Sequence, residues 1–322
     1  MEDKKKEHPK EKSRLHPRSL HRERYDFKKL IQSCPELDKY VKPNKFGDDS
    51  VDFFDPQAVR MLNTALLKHF YFIDYWDIPS DYLCPPIPGR SDYIHHIADL
   101  LGASHFGRIP RGEKIKCLDI GVGASCVYPI IVNKLYGWTT VGSETDPVAL
   151  ASAKKIIEKN PSLKEKVELR LQTNPKDIYY GMINHDEMFD LSICNPPFHS
   201  SAKEAEAESL RKLKNLKHKT PDKAVLNFGG KSQELWCEGG EVWFIRKMIK
   251  ESKKFGNSCF WFSTLVSKQA HLKSAYITLK ETKATKVETI PMGQGNKSSR
   301  ILAWTFLDKT QQREWRKTRW EK

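Results

Sequence analysis

Near the middle of the chain an apolar run, Leu191-Ser192-Ile193-Cys194, stops abruptly in Asn195-Pro196-Pro197-Phe198. Each proline fixes its own φ at about −65°, lacks a backbone N–H and drives the preceding residue out of the helical region. The turn is therefore stiff and extended. At the carboxyl end of a buried strand it would hold the Asn195 carboxamide, the Pro196 carbonyl and the Phe198 ring in fixed relation. Two acceptors and one aromatic face suit a flat amino-heterocycle: the acceptors take the hydrogens of an exocyclic NH2 while the ring stacks. The same four residues alone are also compatible with a proline-rich loop around a buried Phe. What separates the two readings lies upstream.

Asp119-x-Gly121-x-Gly123 follows another apolar run, residues 115–120, and puts glycines where a Cβ would obstruct a ligand approaching the backbone. There is no G-x-G-x-x-G spacing and no phosphate-loop lysine; Ser125 and Pro129 follow instead, which disfavours pyrophosphate binding. About twenty residues further on, Glu144 ends the next strand, where a carboxylate accepts hydrogen bonds from ribose hydroxyls. Its alternatives are an exposed strand end or an N-cap for the helix opened by Pro147. Nicotinamide enzymes and S-adenosylmethionine enzymes share a glycine corner and an acidic strand end. The Asn-Pro-Pro-Phe turn distinguishes them, because it suits amine methylation and has no role in hydride transfer.

These residues need a frame of alternating strands and helices. Strands are expected at 115–120, 139–144, 167–171, 190–194, 258–266, 286–291 and 300–307, with helices near 125–136, 147–159, 241–252 and 268–281. That alternation predicts an α/β fold, a doubly wound, mostly parallel, Rossmann-like sheet. Residues 84–90 read as an irregular linker, after which Ser91 would cap a helix carrying Tyr93, Ile94, Ile97 and Leu100. Four segments flank or interrupt the frame. Residues 1–24 read as a basic disordered tail, and 25–88 as a helical, RNA-binding extension in which Asp55 and Pro56 open a helix. The catalytic domain is then 89–308, broken by a basic insertion at 199–240, and 309–322 is a basic tail expected to present a solvated face.

The 322 residues are 39% hydrophobic, enough for a real core, and carry a formal charge of +14. So basic a chain favours a polyanionic partner, nucleic acid before membrane. No apolar run approaches a membrane span and no apolar signal segment opens the chain, so a soluble, cytoplasmic protein is expected. The seven cysteines show no zinc spacing and no metal is expected. Arg14, Arg18 and Arg22 in the tail and Lys212, Lys214 and Lys217 in the insertion are the candidate phosphate contacts.

Five motifs in order give the frame a family. Phe54-Asp55-Pro56-x-Ala58-Val59-Arg60, residues 118–129 around Asp119-Ile120-Gly121-x-Gly123, Cys194-Asn195-Pro196-Pro197-Phe198, Glu238-Gly239-Gly240-Glu241 and Leu302-Ala303-Trp304-x-Phe306 together resemble the ribosomal large subunit methyltransferase F family. The resemblance spans about residues 50–308. It implies a class I S-adenosylmethionine-dependent methyltransferase acting on the N6 amine of an adenine in RNA. The family also has a eukaryotic branch acting on U6 spliceosomal and messenger RNA; the compact length, without a long C-terminal extension, fits the bacterial branch, which acts on 23S ribosomal RNA at adenine 1618. The implied partner is ribosomal RNA or a large-subunit precursor particle, met by a monomer. By the same resemblance Arg90, Asp119, Gly121, Gly123, Glu144, Thr173 and Asn195 bind the cofactor, and Asn195, Pro196, Pro197 and Phe198 form the catalytic turn. Arg90 could hold a methionine carboxylate bidentately, or be only a linker cation in solvent. At strand three's end Gln172 could serve as well as Thr173. A DNA adenine or protein glutamine methyltransferase and a catalytically idle RNA-binding scaffold remain the alternatives.

Overall fold

The computed structural model describes residues 11–44, 46–201, 203–204, 235–294 and 297–321. Lys212, Lys214 and Lys217 lie outside them. The N-terminal part contains α1 (Phe27–Ser33), a two-stranded antiparallel sheet of β1 (Val41–Pro43) and β2 (Asp49–Val51), then α2 (Pro56–Tyr71) and α3 (Ile87–Ser104). Asp55 caps α2 by accepting the Gln57 N–H at 2.8 Å, with Pro56 in the first turn. The rest alternates: β3 (Lys116–Ile120), α4 (Val127–Tyr136), β4 (Thr139–Glu144), α5 (Pro147–Glu158), β5 (Val167–Leu171) and β6 (Phe189–Cys194). After the insertion come α6 (Gly240–Ser252), β7 (Cys259–Val266), α7 (Gln269–Glu281), β8 (Lys286–Gln294), β9 (Lys297–Thr305) and α8 (Lys309–Trp315).

Seven strands form one sheet in the order β5-β4-β3-β6-β7-β9-β8. Parallel pairing runs from β5 through β7, and β9 pairs antiparallel with both β7 and β8. This is the doubly wound sheet expected of a class I methyltransferase. Every residue of β6 and of β7 is buried, as strands covered by helices on both faces require. The order reverses between β3 and β6, and a crevice opens at the carboxyl ends of strands at such a switch point.

Three expectations are corrected. Residues 84–90 are not a boundary: α3 already begins at Ile87, Arg90 lies in its first turn, and Ser91 is fully buried within the helix instead of capping it. Leu30, Leu66 and Tyr71 of the N-terminal part join the same apolar core as Trp138, Ile156 and Trp261 of the sheet domain.

Residues 11–24 are ordered, not a disordered tail. Leu15, His16 and His21 are buried. His16 Nε2 bonds Asp99 at 2.8 Å, and His21 Nε2 bonds the Tyr71 hydroxyl at 2.8 Å. Counting apolar residues misses this strap because histidines, held neutral, do the packing. Burial pushes the His21 pKa down to about 3.

Residues 309–321 are not a solvated face either. α8 opens with a capping box between Asp308 and Gln311, and a π-helical turn, Arg316–Trp320, follows. The indoles of Trp315 and Trp320 donate to Asp190 Oδ1 at 2.8 and 2.7 Å, and Arg319 pairs with the same carboxylate. Asp190 is the second residue of β6 and is fully buried. The basic end of the chain thus neutralises a carboxylate beneath the strand that carries Asn195.

Candidate active site

Ile120 and Cys194 are register partners at the carboxyl ends of β3 and β6. Gly121 and Asn195 therefore leave the sheet side by side, and the two motifs, more than seventy positions apart in sequence, meet at the carboxyl ends of neighbouring strands. Gly121 and Gly123 have φ of +76° and +64°, the left-handed region open to glycine. A Cβ built on Gly121 meets nothing within 4 Å, so backbone conformation rather than packing demands glycine there. The N–H groups of Gly121 and Val122 both donate to the Ser143 carbonyl, at 3.0 and 2.9 Å. Trp76 from the N-terminal part fixes the far side of this loop by donating Nε1 to the Ser125 carbonyl at 2.8 Å.

Glu144 is held by three backbone N–H groups. Oε2 accepts from Gly123 at 2.9 Å, and Oε1 from Thr145 and Asp146 at 2.8 and 3.1 Å. The N-cap of α5 is Asp146, which accepts the Val148 N–H at 2.8 Å, so capping is not the role of Glu144.

Asp119 is fully buried, and neither carboxylate oxygen has a hydrogen-bond partner among the described residues. Burial pushes its pKa up to about 8; the charge of Glu144 adds to the rise and Arg90 opposes it. Arg90 donates Nη1 to the Tyr128 hydroxyl at 3.1 Å, with its guanidinium carbon 5.5 Å from the centre of that ring. It is thus half-buried on α3 and held by Tyr128, not a cation in solvent.

At the Asn195–Phe198 turn, Pro196 is buried and Asn195 Oδ1 is shut off from solvent with no partner among the described residues. Buried acceptors are almost always satisfied, so the orphan oxygens here and at Asp119 are candidates to meet a polar ligand. The turn is braced from two sides. Beneath it, Tyr93 exchanges a 2.8 Å hydrogen bond with Ser263, whose hydroxyl donates to the Ser192 carbonyl at 2.8 Å. Behind it, Phe198 and His199 donate their N–H groups to the Leu235 carbonyl at 3.1 and 3.0 Å, and Cys237 returns one to His199 at 3.1 Å. The Glu238–Glu241 motif closes this bracket. A Cβ on Gly240 would approach the Ser200 backbone to 3.3 Å, and the buried Glu241 carboxylate accepts from the Ser267 N–H and hydroxyl, each at 2.9 Å, and pairs with His271. Ser263 and Trp76 carried no signal in the sequence, since buried hydroxyl and aromatic residues read there as ordinary core.

Gln172 and Thr173 separate cleanly. Gln172 is buried and consumed within its loop, donating to the Tyr180 carbonyl at 2.8 Å and accepting the Asn174 N–H at 3.1 Å. Thr173 is exposed beyond β5 and free to meet a ligand edge. Of the tail arginines, Arg18 spends its guanidinium on Asp99 at 2.7 Å and on the His95 carbonyl and Tyr136 hydroxyl, and Arg22 pairs with Glu11 at 2.6 Å. Both anchor the strap. Arg14 packs against Gly293 near the β8–β9 tip.

A family described as RNA methyltransferase matches residues 9–308. The chain belongs to that family. A protein of Cytophaga hutchinsonii called ribosomal RNA large subunit methyltransferase F is 61% identical over 320 residues, 99% of each chain. The Serratia proteamaculans protein of the same name is 56% identical, covering 99% of this chain and 95% of the relative. Among solved structures, the human Mettl16 catalytic domain in complex with a MAT2A 3'UTR hairpin superposes with a TM-score of 0.76 at 29% identity, covering 92% of this chain and 96% of that one. The N-terminal domain of human METTL16 in complex with SAH gives 0.71 at 27% identity over 91% and 99%. This RNA methyltransferase has, among its described residues, no helix long and apolar enough to cross a membrane.

Proposed function

We propose that this RNA methyltransferase transfers a methyl group from S-adenosylmethionine to N6 of an adenine in 23S ribosomal RNA, with adenine 1618 as the target. The observation that carries the reading is the pairing of Ile120 with Cys194, which sets an open glycine corner beside an Asn195 oxygen that has no partner among the described residues. The residues fit the cofactor. Asp119 and Arg90 offer an acidic and a basic group for an amine and a carboxylate, Glu144 a preset acceptor for ribose hydroxyls, and Gly121, Gly123 and Thr173 an unobstructed edge. When bound, S-adenosylmethionine supplies an electrophilic methyl group on sulfonium.

The adenine N6 lone pair is delocalised into the ring and is a poor nucleophile. Asn195 Oδ1 and the Pro196 carbonyl accept its two hydrogens, which steers the nitrogen toward pyramidal geometry and its lone pair toward the methyl group. Pro197 keeps the turn stiff, and Phe198 stacks on the base and fixes its approach. With the methyl group so supplied, the bond to N6 would form as the methyl group leaves sulfur, and the surplus N6 proton would pass to solvent while Asn195 Oδ1 and the Pro196 carbonyl keep the nitrogen in place, so no strong base is needed. The target nucleotide must be unpaired or extruded to enter. The net charge of +14 supplies phosphate contacts, with Arg14, Lys212, Lys214 and Lys217 as the candidates; Arg18 and Arg22 serve the strap instead.

Nucleoside mass spectrometry of 23S rRNA from cells with and without the gene tests the reading. The expected result is one N6-methyladenosine lost on deletion and restored by the wild-type chain. An unchanged nucleoside profile would remove it.

A further inference from the structure

The Asn195 oxygen is not the only orphan beside the catalytic turn. The indole nitrogen of Trp236 is also shut off from solvent, and it finds no acceptor among the described residues. Trp236 lies in the short stretch 235–237 that is zipped to the turn: it forms a parallel bridge with His199, and the backbone hydrogen bonds of Leu235 and Cys237 to residues 198 and 199 flank it on both sides. An indole N–H can only donate. Leaving it unpaired and away from water costs as much as a lost hydrogen bond, and the five buried tryptophans avoid that cost: Trp76, Trp138, Trp261, Trp304 and Trp315 each donate to oxygen at 2.8 to 2.9 Å. The exception is the one tryptophan strapped to Asn195-Pro196-Pro197-Phe198.

We infer that Trp236 is a specificity-determining residue, its indole N–H held for an unprotonated ring nitrogen of the substrate base. This rests on the adenine-N6 reading and deepens it. An amine gripped by Asn195 and Pro196 leaves the two flanking ring positions of the purine facing the walls of the pocket. In adenine both flanking nitrogens, N1 and N7, are acceptors, whereas guanine carries a hydrogen on N1. A donor fixed on N1 therefore accepts adenine and leaves its own N–H unpaired against guanine, and one fixed on N7 selects a purine over a pyrimidine; leaving a buried donor unpaired is the stronger form of discrimination. The hydrogen bond adds to the stacking by Phe198 without touching the reacting nitrogen.

The test uses the full chain and a synthetic 23S rRNA fragment spanning adenine 1618, carrying adenosine, 1-deazaadenosine or 7-deazaadenosine at that position. Wild-type kcat/KM should fall about 10- to 100-fold on one of the two deaza fragments, and Trp236→Phe should lose about as much on the adenosine fragment. On the sensitive deaza fragment the variant should lose nothing further, because the contact is already gone. Multiplying losses, or a wild type equally active on all three fragments, would overturn the inference. The wild-type arm stands even if the variant does not fold. Failure of the wild type to methylate the adenosine fragment would instead overturn the adenine-N6 reading, and this inference with it.

Discussion

Arg319 grips the Asp190 carboxylate with two donors, Nε at 3.0 Å and Nη2 at 2.7 Å, across 129 positions of sequence. With the two indoles and the Lys116 N–H at 2.8 Å, the fully buried carboxylate has five donors. Asp190→Ala strands the guanidinium and leaves three other hydrogens, those of the two indoles and the Lys116 N–H, without that acceptor. The variant should lose about 3 to 5 kcal/mol of stability in urea unfolding. A loss below about 1 kcal/mol would show that the C-terminal clasp is ornamental to β6.

Asn195→Ala should abolish methyl transfer while binding of S-adenosylhomocysteine and RNA stays within a few-fold. The side chain is small, and the turn keeps its prolines and its bracket to residues 235–237. Calorimetry with single-turnover assays separates the two effects. Full activity in the variant would remove the proposed mechanism.

Asp119 sets a pH dependence whose sign is unusual for a carboxylate. Its folded pKa of about 8 lies above the ordinary 3.8, so between those values the folded chain holds one proton more than the unfolded chain. Stability from this group is present below about pH 4 and lost as pH rises toward 8. Asp119→Asn should melt higher than the cofactor-free wild type at pH 8, the gap narrowing as the pH is lowered, and should bind S-adenosylhomocysteine more weakly. A gap that does not change with pH would contradict this origin.

Neutralising Lys212, Lys214 and Lys217 together should weaken RNA binding and flatten its dependence on salt. If all three meet phosphates, the slope of log K against log salt drops by roughly 2. An unchanged slope would take the insertion out of the RNA contact.

The chain's own order of residues determined the chemistry on offer and the frame that offers it. Pro196 and Pro197 stiffen their turn by local sterics, and Gly121 and Gly123 announce a backbone conformation that their neighbours cannot adopt; such effects act within a few residues and so are legible along a string. The same holds for the alternation of strands and helices, whose boundaries the structure moves by only a few positions. Arg90, by contrast, changed from a linker cation to a helix residue held by Tyr128, and Glu144 from a possible cap to a carboxylate preset by three N–H groups. Residues 11–24 and 309–321 read as charged tails because composition counts charges without their partners, and those partners, Asp99, Tyr71 and Asp190, are 50 or more positions away. Only the folded sheet decided that Ile120 lies against Cys194, since strand order is fixed by long-range packing that no local spacing encodes.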